Sequence, residues 1–210
     1  MPIKLNVPFA EKDQVKSLGA WWYAEEKAWV IPDSIKDINP FALWLPQEDG
    51  LIVKWPYIVV KAKRKCYRCE KLTTVIALGV KNYYAFDYHP STQTITWALC
   101  EDDSVLFLEV DLLDVDFSRH LNSRYPWYQM QYAQRTGREK GWANTCQHCA
   151  ALHEDDYLFS ETSGVFNCLY KEDFKGISRD YLKLRFDYFI SSGILYAQSN
   201  HWVLGLEPGE

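Results

Sequence analysis

Two cysteine pairs place the strongest constraint on how this chain can fold. The first hook is Cys66-Tyr-Arg-Cys69, the second hook is Cys146-Gln-His-Cys149, and 76 residues (70–145) separate them. A C-x-x-C turn directs two thiolates to one point, and two such turns supply the tetrahedral four-cysteine shell that Zn²⁺ favours. The separation is far longer than the roughly 15–20 residues of ordinary zinc-finger spacings. The intervening chain must therefore fold so that both hooks hold one structural Zn²⁺.

Two other interpretations of the cysteines stay open, a redox or disulfide role and a set of unrelated buried thiols. A redox C-x-x-C is expected near a βαβ pattern, which the sequence does not show. The stretch MPIKLNVPFAEKD lacks the apolar core of a secretion signal, and no apolar run reaches the roughly 18–20 residues of a membrane span. We therefore expect a cytoplasmic, metal-binding protein without a membrane partner. Cys100 and Cys168 lie in strand-like contexts and are predicted to be free core thiols.

Residues 4–32 form a compact unit in the sequence. A short strand LNV precedes a helix whose apolar face carries Ala10, Val15 and Leu18, and Gly19 follows where a left-handed C-cap is needed. The segments WWY and AWVIP then flank the polar turn AEEK, which is typical of a β-hairpin. The pattern predicts a small β-α-β-β unit.

This segment resembles a small bacterial family of unknown function that carries an LNVPxxEKxxxKxLGAxWxxxxKxWxxP-like signature. The matching residues are Asn6, Val7, Pro8, Lys12, Lys16, Gly19, Ala20, Trp22, Lys27, Trp29 and Pro32. Trp21 and Tyr23 stand where that family usually has Arg and Asp. Members are often appended to plasmid primases and other DNA-processing proteins, so the resemblance implies a nucleic-acid-associated accessory role. The Lys-x-Trp strand is also similar to the end of the HARP domain of annealing helicases.

The residues themselves allow two readings of this unit. Lysines neutralise phosphates and bases stack on aromatic faces, so a weak surface for single-stranded nucleic acid can be built here. Its members would be Lys12, Lys16, Trp22, Lys27 and Trp29, which we call the N-terminal surface. Alternatively the tryptophans are core and the lysines are a solvated face. The unit's four lysines are balanced by four acidic residues.

The rest of the chain is predicted to be a β-rich, zinc-ribbon-like domain. Residues 33–50 suggest a helical turn and a linker, and 51–60 suggest a strand pair. Four strand-like segments between residues 73 and 110 alternate with turns, which predicts an antiparallel meander inserted between the hooks. A helix is expected over 178–192, and hairpins are expected around Ser163-Gly164 and residues 198–200.

A second resemblance concerns the second hook. The segment ANTCQHCAALHEDDYL is similar to an ANxCxHCgalxgdxyL segment in a group of bacterial zinc-ribbon proteins that also have an early CxxC. Ala150 departs from that group, where a glycine commonly follows the hook and eases the turn. The resemblance implies no activity that could be transferred to this chain.

Two charged segments have both a structural and a functional reading. The run KAKRKCYRCEK around the first hook either offsets the negative charge of a zinc–thiolate centre or forms a patch for an anionic partner. Residues 101–116 hold seven acids and no base, which fits a solvated face or a dock for a basic protein partner. The net charge of −5 gives no global attraction to nucleic acid.

We expect no enzyme here. No HExxH, Gly-rich phosphate loop or GxSxG elbow occurs, and a closed four-cysteine site has no open position for catalysis. The sequence therefore predicts an α+β protein, with a domain and linker over 1–50 and a zinc-ribbon-like domain over 51–210. The predicted function is a bacterial zinc-binding accessory protein associated with nucleic-acid processing. The alternative is an immunity- or inhibitor-like interaction module that uses residues 101–116 against a basic partner.

Overall fold

The protein is a β-rich α+β chain in which short helices accompany three antiparallel sheets. The computed structural model describes residues 1–131, 140–160, 164–167 and 176–196. Within those ranges no helix is long and apolar enough to cross a membrane.

The N-terminal unit is a three-stranded sheet with one helix. Its strands are β1 (Ile3–Leu5), β2 (Trp21–Tyr23) and β3 (Ala28–Ile31), in the order β1-β3-β2. A 3-10 turn over Phe9–Glu11 leads into α1 (Lys12–Ser17). Gly19 follows the end of the helix, and its φ of 98° lies in the left-handed region that suits glycine. The predicted hairpin is present, with Lys27 N–H donating to the Ala24 carbonyl at 3.3 Å across its turn.

An eight-stranded sheet forms the centre of the protein. Its strands lie in the order β13-β5-β6-β9-β14-β4-β7-β8. Their bounds are β4 (Leu51–Val53), β5 (Tyr57–Lys65), β6 (Leu72–Val80), β7 (Tyr83–His89), β8 (Thr94–Cys100), β9 (Val105–Leu113), β13 (Ser178–Leu182) and β14 (Tyr188–Tyr196). Successive residues of β5 enter two different core clusters, because strand side chains alternate between faces. The middle of the sheet is thus covered on both sides.

Different elements cover the two faces. On one face lie α2 (Val115–Arg124) and a small sheet of β10 (Tyr128–Gln131), β11 (Gly141–Thr145) and β12 (Leu152–His153). On the other face a π-helical turn over Asp156–Ser160 buries two of its side chains in the second cluster, together with Phe166.

The segment after the hairpin is packed rather than loose. A 3-10 helix over Asn39–Trp44 buries Phe41 and Trp44 in the same cluster as Ile52 and Trp97 of the central sheet. This packing joins the N-terminal unit to strands β4, β7 and β8. The boundary between residues 50 and 51 stays a prediction.

The helix predicted over 178–192 is wrong. That segment forms β13 and β14, with Tyr181 exposed beside the buried Leu182, as the two-residue period of a strand requires. Pairing with β5 and β9 outweighs the local helical preference. Cys100 is half-buried on the edge strand β8 and is therefore not a core thiol. Cys168, the turn at 198–200 and most of the predicted 163–164 hairpin fall outside the described residues.

The strands predicted between the hooks are present, but they do not form a sequential meander. β9 pairs with β6, while β7 and β8 lie at the far edge beyond β4. β14, from the C-terminal part of the chain, lies between β9 and β4. The order of strands thus depends on long-range pairing that local patterns do not encode.

Candidate metal centre

Both hooks are turns between paired strands. The first hook joins β5 to β6, and the second joins β11 to β12. In the first, Cys66 N–H donates to the Lys71 carbonyl at 2.9 Å, and Glu70 N–H donates to the Cys66 carbonyl at 2.9 Å. In the second, Cys146 and Ala150 make the same two bonds at 2.8 and 2.9 Å. The two turns are therefore built alike, each directing both sulfurs away from its hairpin.

The four sulfurs meet at one point. The Sγ atoms of Cys66 and Cys149 are 3.6 Å apart, those of Cys69 and Cys146 are 3.7 Å apart, and all four lie within 4.8 Å of one another. A disulfide would bring two sulfurs to roughly 2.05 Å, so the thiols are free. Metal–sulfur bonds of roughly 2.3 Å in a tetrahedron place sulfurs about 3.8 Å apart. The arrangement therefore suits a tetrahedrally bound metal ion.

The electrostatics of the cluster favour a cation. Burial opposes ionisation of Cys146, but the backbone N–H groups of His148 and Cys149 favour its thiolate, and the pKa of Cys146 falls to about 6. The Ala151 N–H favours the Cys149 thiolate, but burial and the neighbouring sulfurs outweigh it and raise the pKa of Cys149 to about 12. Thiolates this close repel one another, so a bound cation is needed to hold four of them together.

Asn144 fixes the second hook against the central sheet, a role that the sequence did not indicate. Its side chain is fully buried, accepts a hydrogen bond from Ile76 N–H at 2.8 Å and donates to the Ile76 carbonyl at 2.9 Å. Gln147 repeats the connection, because its backbone N–H donates to Thr73 Oγ1 and its side chain accepts from Thr74 N–H. The hooks are thus aligned by hydrogen bonds as well as by any metal. The ring Nε2 of His148 lies 2.9 Å from the Leu72 carbonyl oxygen.

The residue after each hook is strained, and this gives a testable prediction. Glu70 and Ala150 have φ values of 59° and 56°, a region that costs a non-glycine residue about 1–2 kcal/mol. We expect Ala150→Gly to raise the free energy of unfolding by about 0.5–1 kcal/mol, after the extra chain entropy of glycine is subtracted. Chemical denaturation of the metal-loaded protein measures the change. The control Ala151→Gly, at a buried position without positive φ, should be destabilising. A destabilised Ala150→Gly variant would contradict the strain argument.

Two of the six basic residues around the first hook contact other parts of the described structure, and four do not pair with an acidic residue there. Lys61 pairs with Asp180 at 2.6 Å, and Arg64 donates to the Tyr157 carbonyl at 3.1 Å. The remaining four are exposed and have no acidic partner among the described residues: Lys63, Lys65, Arg68 and Lys71. The hook end of the central sheet therefore presents unpaired positive charge.

The acidic segment 101–116 is largely used within the fold. Asp114 caps α2 by accepting from the backbone N–H groups of Asp116 and Phe117. Asp116 pairs with Lys4 and Arg119 at 2.8 Å each. Two further members are also engaged, Asp102 with Lys81 and Asp103 with the Tyr83 hydroxyl. These contacts give the segment a structural role, and the hypothesis of a basic protein partner stays a prediction.

The N-terminal surface has its tryptophans on one face of the hairpin. Trp22 and Trp29 face each other across β2 and β3, with ring centroids 5.8 Å apart. Trp22 is 47% exposed and Trp29 is half-buried. The prediction of an exposed stacking surface and the prediction of core tryptophans therefore each fail for one of the two residues. Lys16 and Lys27 are exposed, and the half-buried Lys12 lies 4.0 Å from the centre of the Phe9 ring.

The sequence did not indicate two exposed aromatic residues of this unit. It also did not indicate which basic or polar groups its glutamates contact. Phe9 is 82% exposed and Trp21 is 44% exposed. Glu26 pairs with Lys4 and Arg185, Glu25 also pairs with Arg185, and Glu11 accepts from the Trp44 indole. Lys12, Lys16 and Lys27 have no acidic partner among the described residues, and Asp13 is exposed nearby. The equal numbers of lysines and acidic residues in this unit therefore do not mean that each lysine has an acidic partner.

Comparison with known proteins gives results for the N-terminal unit alone. Residues 3–46 match the family described as a domain of unknown function (DUF5710). A DNA primase TraC of Escherichia coli is 58% identical over 40 residues, which are 19% of this chain and 4% of the primase. A second DNA primase TraC from the same organism is 48% identical over 40 residues, 19% of this chain and 3% of that protein. No solved structure matches the chain.

The match confirms that the N-terminal unit resembles a domain appended to plasmid primases. The chain spans only a few per cent of the length of these relatives. The family match ends at residue 46, so the similarity of the remainder to split zinc-ribbon proteins stays a prediction.

Proposed function

We propose that this protein is a non-enzymatic accessory of nucleic-acid processing, whose four-cysteine centre holds one structural Zn²⁺. The observation that carries the proposal is the exposed aromatic and lysine surface on the unit that matches a segment of a DNA primase. The metal centre stabilises the fold of the chain that follows the N-terminal unit.

The case for zinc comes from the donor set. Four thiolates in a tetrahedral arrangement suit Zn²⁺ or an iron–sulfur centre, and hard cations such as Mg²⁺ or Ca²⁺ prefer oxygen. Each hook has the short C-x-x-C spacing of structural zinc sites, and the sulfur separations of 3.6 and 3.7 Å match single-ion tetrahedral geometry. The free cations beside the first hook offset the negative charge of such a centre.

The case for nucleic acid comes from which groups the fold leaves unpaired. Trp21 and Trp22 expose nearly half of their surface on a strand, where a base can stack on an indole face. Lys12, Lys16 and Lys27 provide charge for phosphates on the same unit. The overall acidity of the chain limits the affinity, so contact with single strands is weak and dependent on salt.

The accessory role follows from the metal centre. Four cysteines complete a tetrahedral shell, which leaves no coordination position for a substrate or an activated water. We therefore assign binding, and not catalysis, to this chain.

We expect a labelled single-stranded oligonucleotide to bind weakly at low salt and to quench tryptophan fluorescence. Three phosphate contacts give a slope of about −2 for log affinity against log salt. Replacing Lys12, Lys16 and Lys27 by alanine should flatten this slope, and Trp22→Ala should weaken binding roughly 5- to 150-fold. Polarisation titrations at two salt concentrations measure both effects.

The control for this experiment is Lys183→Ala, which removes one exposed positive charge outside the N-terminal unit. It should leave the slope unchanged. No binding at low salt, together with unquenched tryptophan fluorescence, would reject the nucleic-acid function.

A further inference from the structure

A cavity beside the metal centre is used by neither the zinc site nor the N-terminal surface. Its volume is about 760 Å³, within the range of small-molecule sites. Tyr67 and Arg68 of the first hook form one part of its wall, and Arg64 of β5 forms another. The chain that leaves the second hook, residues 150–154, also lines the cavity.

Two residues that line the cavity each have a buried polar atom without a partner among the described residues. His153 Nε2 and Glu154 Oε2 are buried, and neither has a hydrogen-bond partner among the described residues. His153 is only 1% exposed. A buried polar atom without a partner is costly, so such groups usually await a ligand or an ordered water. Two adjacent ones in the same wall point to a ligand with matching groups.

The chemistry of this pair favours a base edge. Burial, together with the positive charge of Arg64, lowers the pKa of His153 to about 4, so the ring is neutral at physiological pH. A neutral imidazole can donate from Nε2, whereas the carboxylate of Glu154 accepts. An acceptor and a donor side by side on a nucleobase would satisfy both atoms.

The mouth of the cavity provides the other two elements of nucleotide recognition. The Tyr67 ring is 70% exposed and touches the His153 ring edge-on, with centroids 5.7 Å apart. Arg68 is exposed and has no acidic partner among the residues that the structure describes. A base can stack on the open face of Tyr67, and a guanidinium at this position can pair with a phosphate.

We propose that this cavity binds one unstacked nucleotide of a single-stranded nucleic acid, with the base on Tyr67 and its edge at His153 and Glu154. Arg68 contacts the adjoining phosphate. The inference rests on the proposed function and deepens it, because it gives the strand a second point of attachment at the metal centre. Ala150 and Ala151 both form backbone hydrogen bonds with Cys146, so the second hook supports one wall of the cavity.

The first test is binding of a labelled oligodeoxythymidine to the metal-loaded protein. Tyr67→Ala should weaken binding roughly 5- to 150-fold, as expected for loss of one stacking contact, and Tyr67→Phe should retain it. Arg68→Ala should weaken binding and flatten the salt dependence. Tyr88→Ala removes another exposed tyrosine ring, on β7 and not among the residues that line the cavity, and should change nothing. Polyglutamate should not displace the strand, because charge alone does not fill the site.

The second test observes the cavity directly. In NMR titrations of the wild-type protein with dTMP, the ring resonances of His153 should shift, whereas those of His89 and His120 should not, since neither lines the cavity. This readout holds even if a Tyr67 variant loses its metal. If the wild type binds no oligonucleotide, the proposed function itself fails. If it binds, and Trp22→Ala weakens binding while Tyr67→Ala and the His153 resonances show no effect, only the cavity inference is overturned. Equal displacement by polyglutamate would also overturn it.

Discussion

Serine at Cys69 or Cys146 should abolish stoichiometric metal binding and lower the free energy of unfolding by more than about 5 kcal/mol. The apparent binding energy of structural zinc, about 10–16 kcal/mol in small domains, is comparable to the whole stability of a protein. Because the hooks are 76 residues apart, the loss also releases a long closed loop. The expected fall in melting temperature is roughly 10–20 °C for a chain of this size. Metal analysis should return about one zinc per wild-type chain, as a single tetrahedral site requires.

Cys100→Ser is the matched control for this experiment. Cys100 is half-buried on the edge strand β8, and its thiol lies 3.8 Å from the Ala98 carbonyl, a contact that a hydroxyl can keep. The change should cost less than about 1 kcal/mol and leave the metal content intact. Similar melting losses in the Cys69, Cys146 and Cys100 variants would contradict the assignment of the metal ligands.

Asp187→Asn should destabilise the protein by about 3–5 kcal/mol, because the buried Lys54 ammonium then keeps only the exposed Asp33 as an acidic partner among the described residues. The carboxylate is fully buried, lies 3.2 Å from Lys54 Nζ and accepts from the Tyr57 hydroxyl at 2.8 Å. Burial lowers the pKa of Lys54, but the charge of Asp187 more than compensates, and the net pKa is raised. The stabilisation from this raised pKa is fully present at neutral pH and is lost only in strongly alkaline solution. Urea denaturation at neutral pH measures the effect.

Two further variants isolate the buried pair. Asp33→Asn removes the second carboxylate near Lys54, at 3.1 Å, but that side chain is 56% exposed. Its loss should therefore cost less than about 1 kcal/mol. Adding Lys54→Met to Asp187→Asn should recover part of the lost stability, because the buried ammonium is then removed together with the carboxylate that it faced. An Asp187→Asn variant within about 1 kcal/mol of wild type would refute the argument.

Local patterns predicted the elements of this fold better than their arrangement. The β2–β3 hairpin and the strands between the hooks follow from short-range alternation and turn residues. The placement of β14 between β9 and β4 could not be predicted, because pairing partners far apart in the sequence leave no local mark. The same reason explains the error over 178–192, where uneven aromatic spacing suggested a helix.

The cysteine cluster was predictable because metal ligation constrains both residue type and spacing. The cavity was not, since its wall combines a hook, a strand end and the residues after β12. Counting charges in the sequence also did not predict which of them pair in the fold. Glu25 and Glu26 pair with Arg185, a residue more than a hundred positions away, and Lys12, Lys16 and Lys27 have no acidic partner among the described residues.

The position of β14 determines when the protein can become complete during synthesis. Strands β13, β5, β6 and β9 form one half of the central sheet, β4, β7 and β8 form the other, and β14 joins them. A chain in which β14 has not yet paired leaves the apolar edges of β9 and β4 open. Unpaired edges of this kind promote association between chains. The central sheet is therefore complete only after β14 has paired with both halves, and until then the open edges of β9 and β4 let aggregation compete with folding.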